Sequence, residues 1–254
     1  MPSCRHDTIS MILEAVILDI EGTTSSTGYV HETLYPYSRD RFAEWIERHE
    51  HEPRVQAQLT AVRTLADEAD ANVERIIEWL DHWLDSDQKV TPLKAFQGWI
   101  WADGFAAGDL KSHFYDDAIP AIRHWHDAGL ELSIFSSGSV SAQIAWFGNT
   151  PEGNLLPLLT RHFDTENLGP KKVAASYRKI AATLGHAPES IVFLSDLVLE
   201  LDAAREAGWH TIGIRRDGDQ YFDQGVGDHV AASRFDQIDL HVMPPAVVTT
   251  SAAT

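Results

Sequence analysis

Four short apolar runs, separated by stretches with helical patterning, constrain this chain more than any other feature. They are residues 15–18, 130–135, 191–194 and 211–214. Each is nearly continuous in apolar residues, as a strand buried on both faces of a parallel sheet must be. The first three stop on polar residues: Asp19, Ser136, and the pair Ser195 and Asp196. Ligands of open α/β sheets bind along the carboxyl ends of the strands. Those polar residues are therefore expected to converge.

Between the runs the pattern is helical. Residues 117–128 put Ile119, Ile122 and Trp125 on one face and stop at Gly129. Residues 171–184 carry Val173, Tyr177, Ile180 and Leu184 before Gly185, and residues 199–207 end at Gly208. Strand and helix in alternation imply right-handed crossovers and a doubly wound parallel sheet of the α/β class. Residues 27–113 break the alternation. Helical periodicity runs through 39–50, 55–70 and 71–84, and five of the eight tryptophans (Trp45, Trp79, Trp83, Trp99, Trp101) fall there. This stretch reads as an all-helical second domain inserted after the first strand, with the tryptophans as its core. Two connections would join it to the sheet domain, which lets it act as a lid. The predicted layout is a catalytic core over 11–26 and 114–243, a helical cap over 27–113, and flexible ends at 1–10 and 244–254. Deleting residues 1–10 is expected to leave activity intact.

Length and composition narrow the function. A chain of 254 residues accommodates a core domain with a smaller partner. Its formal charge of -18 opposes nucleic acid and anionic membranes. It also repels a phosphorylated ligand at long range, so a phosphate site here needs local positive charge. Cys4 is the single cysteine, which rules out an internal disulfide. No apolar run approaches the roughly 20 residues of a membrane span, and no secretory h-region is present. A cytoplasmic protein is expected.

The chemistry concentrates at the strand ends. Asp19-Ile20-Glu21-Gly22-Thr23 directly follows a buried strand. A carboxylate on that rigid edge can attack phosphorus in line and form an aspartyl phosphate. Glu21 can protonate the leaving oxygen and then deprotonate the hydrolytic water, and Gly22 permits a tight turn. Ser136-Ser137-Gly138-Ser139 offers hydroxyls and backbone N–H groups at a helix start, suited to an anion. Gly169-Pro170-Lys171-Lys172 opens the next helix. Lys171 is read as the inward lysine that offsets Asp19 and a phosphate, and Lys172 as solvated. Asp19 and Asp196 can share a magnesium ion, which needs only one or two carboxylates besides water and phosphate. Glu200 and Asp202 read as helix-face residues. His124 and His126 lie two apart on a helix and so diverge.

Taken in order, a strand-Asp-x-acid-x-Thr motif, Ser, Lys and Ser-Asp, with a helical insertion, resemble the haloacid dehalogenase superfamily over nearly the whole chain. A narrower likeness adds Thr24-Ser25-Ser26, Val30-His31, Leu34-Tyr35-Pro36-Tyr37, Gln97-Gly98, Gly108-Asp109-Leu110-Lys111 and Trp146-Phe147-Gly148. With these the chain resembles the enolase-phosphatases of methionine salvage. The glutamate at position 21 is informative, because most phosphatases of the superfamily carry aspartate there. The resemblance implies enolisation and dephosphorylation of 2,3-diketo-5-methylthiopentyl phosphate to the acireductone. It implies one Mg2+ per subunit at Asp19, Asp196 and Glu21 (through its main-chain carbonyl), and Ser136, Ser137 and Lys171 on the substrate phosphate. It also implies a monomer with a helical cap. The enolisation base stays open between Glu21 and a cap residue. The competing reading is a general small-molecule phosphatase of the same superfamily, acting on phosphoglycolate or a sugar phosphate.

Overall fold

The computed structural model describes residues 9–242. Of the flexible ends expected at 1–10 and 244–254, residues 1–8 and 244–254 lie outside the described residues. The chain divides into two compact units. Among the described residues the first comprises 9–24, 115–137 and 157–242, and the second 25–114 and 138–156.

The first unit is an α/β sandwich. Its main sheet has six parallel strands in the order β4-β3-β2-β5-β6-β7 among the described residues. They are β2 (Ala15–Leu18), β3 (Glu131–Ser136), β4 (Arg161–Asp164), β5 (Ile191–Ser195), β6 (His210–Ile214) and β7 (Val230–Ala232). The four apolar runs of the sequence supply β2, β3, β5 and β6, and the first three form the centre of the sheet. Leu18 lies opposite Ile134 on one side and Leu194 on the other. That register sets the residues after β2 beside the ends of β3 and β5. Helices Ala118–Asp127, Ala174–Leu184 and Val198–Glu206 cover the sheet. Under one face Phe135, Phe163, Tyr177, Ile180, Phe193, Leu201 and Trp209 pack as a continuous core.

Three features differ from the sequence reading. β1 (Ile9–Leu13) pairs in parallel with β8 (Ile238–Val242), so residues 9 and 10 belong to a strand rather than to a loose extension. Backbone pairing 229 residues away in sequence carries no local signal. The helix expected from 171 begins instead at Ala174, because residues 171–173 form a turn that carries Lys171 inward and ends on an extended Val173 at the N-cap. Residues 138–156, expected in the sheet domain, group with the helical unit. There Trp146 of helix Val140–Gly148 packs edge-on to Tyr29 and Phe105, and Phe147 meets Phe114. Asn149 O accepts from Ser112 N at 3.0 Å.

The second unit is helical. Helices Phe42–His49, Pro53–Ala66, Val73–Asp85 and Thr91–Ala107 enclose a core of Phe42, Trp45, Ile46, Leu59, Ile76, Leu80, Trp83, Phe96 and Ile100. Trp45 and Trp83 are buried, and Trp79 and Trp99 pack against that core. Trp101 Nε1 donates to Leu34 O at 2.8 Å.

Candidate active site

Asp19 is the first residue past β2, and its N–H donates to Leu194 O at 3.0 Å. The sheet ladder thus continues through residue 19 and fixes its backbone. The chain then turns tightly. Thr23 N and Thr24 N both donate to Ile20 O, at 3.2 and 2.9 Å, and Thr24 Oγ1 lies 3.2 Å from Asp19 O and from Ile20 O. Gly22 carries φ +70°, and a β-carbon there would stand 1.9 Å from Asp196 Oδ2. The turn therefore lies directly against the Asp196 carboxylate, an approach only glycine allows.

Lys171 is buried and bridges two carboxylates. Its Nζ lies 2.6 Å from Asp19 Oδ1 and 2.6 Å from Glu200 Oε2. Ser195 Oγ donates to the same Glu200 oxygen at 3.0 Å and accepts from Leu197 N at 3.2 Å. The rings of Phe135 and Phe193 stand below the ammonium, with centroids 5.9 and 5.7 Å away. Lys172, by contrast, is exposed. Ser136 is buried at the end of β3, opposite Asp164 on β4, and Ser137 is half-buried beside it. Glu21 is half-buried on the turn. Ser139 caps helix Val140–Gly148 by accepting from Ala142 N at 3.3 Å.

The electrostatics are unbalanced. Three buried carboxylates, Asp19, Asp196 and Glu200, face one ammonium. Burial pushes the Asp19 carboxyl up, against the pull of Lys171 and with added repulsion from Glu200. Burial likewise raises Asp196, reinforced by Asp19 and then Glu200. For Lys171, burial opposes the charge, but Asp19 and Glu200 outweigh it and hold the amine protonated. Asp196 Oδ2 is buried and has no hydrogen-bond partner among the described residues. An orphaned carboxylate oxygen in an over-acidic pocket is costly unless a cation meets it. These residues fit a divalent cation with hard oxygen preferences, and two carboxylates are the number magnesium takes when water and phosphate complete its shell. Among the described residues no three His, Cys, Asp or Glu side chains form a closed metal cage.

Two residues of this neighbourhood were not singled out by the sequence reading. Glu200, read there as a helix-face residue, turns inward because Lys171 and Ser195 both bond it. The signal was available in its position four residues after Asp196, at the start of a helix whose first turn points at the site. Arg216 is buried beside the turn, with Nε 3.0 Å from Thr23 O. No local motif announced it. His124 and His126 are exposed, away from this cluster.

A parallel sheet whose central strand ends on a lysine-paired aspartate, with a second carboxylate on the next strand, defines a hydrolase of the haloacid dehalogenase-like class. The family model of that description, haloacid dehalogenase-like hydrolase, matches residues 13–208. The chain belongs to this family and, within it, to the enolase-phosphatase E1 group. It is 54% identical over 228 residues to Enolase-phosphatase E1 of Streptomyces avermitilis, covering 90% of this chain and 95% of that one. It is 47% identical to the protein of the same name from Saccharopolyspora erythraea, covering 90% and 96%. Among solved structures it resembles the UTR4 protein of Saccharomyces cerevisiae, with TM-score 0.73 and 29% identity over 88% of this chain and 99% of that one. No helix among the described residues is long and apolar enough to cross a membrane.

Proposed function

We propose that this hydrolase is the enolase-phosphatase of methionine salvage. It converts 2,3-diketo-5-methylthiopentyl-1-phosphate to 1,2-dihydroxy-3-keto-5-methylthiopentene and phosphate. The observation that carries the reading is the convergence at one sheet edge of Asp19, its 2.6 Å partner Lys171, and Asp196 packed against Gly22.

Asp19 attacks phosphorus and the bond to the leaving oxygen breaks, giving an aspartyl phosphate. Glu21, two residues along the same turn, gives the leaving oxygen its proton. It then takes one from the water that hydrolyses the intermediate. Lys171 holds positive charge against the phosphate oxygens, and Glu200 holds Lys171 in place. Ser136 and Ser137, at the end of β3, bind the phosphate. Asp19, Asp196 and the main-chain carbonyl of Glu21 would hold one Mg2+. The chemistry this ion supplies when bound is polarisation of a phosphate oxygen and of a developing enolate oxygen. For the enolisation step Glu21 and a side chain of the helical unit are the two candidates for the base. The protein is read as a cytoplasmic monomer.

The test is incubation with the diketo phosphate and Mg2+, following the enol chromophore and free phosphate separately. Both signals are expected, and both should vanish with EDTA. Phosphate release from simple phosphomonoesters, with no chromophore from the diketo phosphate, would replace this reading with a general phosphatase. No phosphate from any ester would remove the phosphatase altogether.

A further inference from the structure

The turn that carries Asp19 is held by a residue remote in sequence. Arg216 lies two residues past β6, on a loop at the same sheet edge, and is buried. Its Nε donates to Thr23 O at 3.0 Å. Its Nη1 donates to both carboxylate oxygens of Asp117, at 2.9 and 2.8 Å, and to Ser233 O at 3.1 Å. The guanidinium carbon lies over the rings of Tyr115 and Phe235, 4.3 and 4.9 Å from their centroids. Asp117 also accepts from Phe235 N, which fixes the carboxylate that holds Nη1.

A buried ion pair of this kind contributes little net stability, since desolvating both charges offsets their attraction. What it provides is direction. The guanidinium is planar and rigid, so holding Nη1 on Asp117 and Ser233 O directs Nε at one carbonyl, while Nη2 is buried with no hydrogen-bond partner among the described residues. That carbonyl, on Thr23, belongs to the turn running from Asp19 to Thr24. The next carbonyl, Thr24 O, is taken by Tyr115 N at 3.0 Å. The outer side of the turn is thus fixed at two consecutive peptides, while its inner side rests on Asp196 through Gly22. Little slack remains, because the approach at Gly22 excludes even a methyl group.

We infer that Arg216, aimed by Asp117, is a positioning residue for phosphoryl transfer: it sets the Asp19 carboxylate and the Glu21 carbonyl relative to Asp196. The inference rests on the reading of Asp19 as nucleophile and Asp196 as its partner at the cation. Arg216 touches neither the substrate nor the reacting atoms. Its effect belongs in turnover and cation affinity rather than in ester binding.

Arg216→Lys is the informative variant. Lysine keeps a charge beside Asp117 but cannot bond Asp117 and the Thr23 carbonyl in the same fixed geometry. Arg234→Gln is the control. Arg234 is a half-exposed neighbour paired with Asp116 at 3.0 Å. Each variant would be measured by circular dichroism, by kcat and KM for phosphate release, and by calorimetric titration with Mg2+. Arg216→Lys is expected to fold, to keep KM, and to lose about 10–100-fold in kcat and in Mg2+ affinity, as outer partners of metal sites do. Arg234→Gln should match the unmodified protein. An Arg216→Lys protein with unchanged kcat and unchanged Mg2+ titration would overturn the inference, as would a rise in KM alone. If the unmodified protein released no phosphate, the underlying reading would fall. The Mg2+ titration would still decide whether Arg216 sets the cation site.

Discussion

At Gly22 the backbone has φ +70° and Asp196 Oδ2 occupies the space where a side chain would begin. Alanine there meets two penalties at once. The left-handed conformation costs an L-residue roughly 1–2 kcal/mol, and the methyl displaces a carboxylate of the site. Gly22→Ala is expected to fold and to lose about 100-fold in turnover, the scale of a 1 Å misplacement; steady-state phosphate release checks this. Asp19→Asn should abolish phosphate release. It should also melt no lower than the parent protein in EDTA, because it removes one negative charge from a cluster of three carboxylates and one ammonium. A scanning calorimetry trace well below the parent would contradict that charge count. Lys171→Ala behaves oppositely. It leaves Asp19 and Glu200 buried without their cation, a loss of about 3–5 kcal/mol in such pairs, together with activity. Lys172→Ala, at an exposed position, should change neither. Urea midpoints and rates on the two variants would show whether the inward lysine is 171.

Among the elements, helix Thr91–Ala107 contains two glycines with opposite roles. A β-carbon on Gly98 would meet nothing within 4 Å, whereas one on Gly104 would stand 2.6 Å from the Tyr37 hydroxyl oxygen and 2.7 Å from ring carbons. Gly98→Ala should therefore stabilise by about 0.5–1 kcal/mol through helix propensity. Gly104→Ala should destabilise by about 1–3 kcal/mol through overpacking. Tyr37 cannot yield freely, because its hydroxyl donates to Asp109 and Arg41 stacks on its ring. Thermal melts of the two variants give the sign of each. At the amino ends of the central strands, Glu14 accepts from Ser190 Oγ at 2.7 Å and lies 3.1 Å from His186 Nδ1, whose Nε2 is 2.7 Å from Glu131. The Ser190 hydrogen bond, with His186 beside it, holds the Glu14 carboxyl below its ordinary value. A depressed carboxylate contributes stability above its unfolded pKa and loses it as pH falls through the folded one. Urea midpoints should thus decline on acidification through the carboxylate range, and less steeply in Glu14→Gln. An equal slope in the two proteins would remove Glu14 from the account.

For the molecule as a whole, a formal charge of -18 spread over 254 residues means net self-repulsion. Exposed charges farther apart than about 8–10 Å are screened at physiological ionic strength. Moderate salt should raise the melting temperature, and Mg2+ should raise it further than an ionic-strength-matched sodium salt, because one effect is screening and the other is binding. Equal shifts from the two salts would argue against a specific cation site.

Local pattern determined a great deal here. Continuous apolar runs specify strands buried on both faces, so the centre of the sheet and the polar residues at its carboxyl edge, Asp19, Ser136 and Asp196, were legible before any coordinates. The periodicity and tryptophan content of 39–84 announced a separate helical core in the same way. Elements whose stability comes from remote partners were not legible. β4 and β7 are short and carry polar or small residues at the sheet margins, and β1 exists through pairing with β8. Helix Val140–Gly148 follows a core strand in sequence yet packs by Trp146 among residues of the helical unit. Glu200 and Arg216 look like ordinary surface charges in one dimension. Only the tertiary structure buries them, because the free energy that holds each inside comes from groups distant in the chain: Lys171 for Glu200, and Asp117 with the Thr23 carbonyl for Arg216.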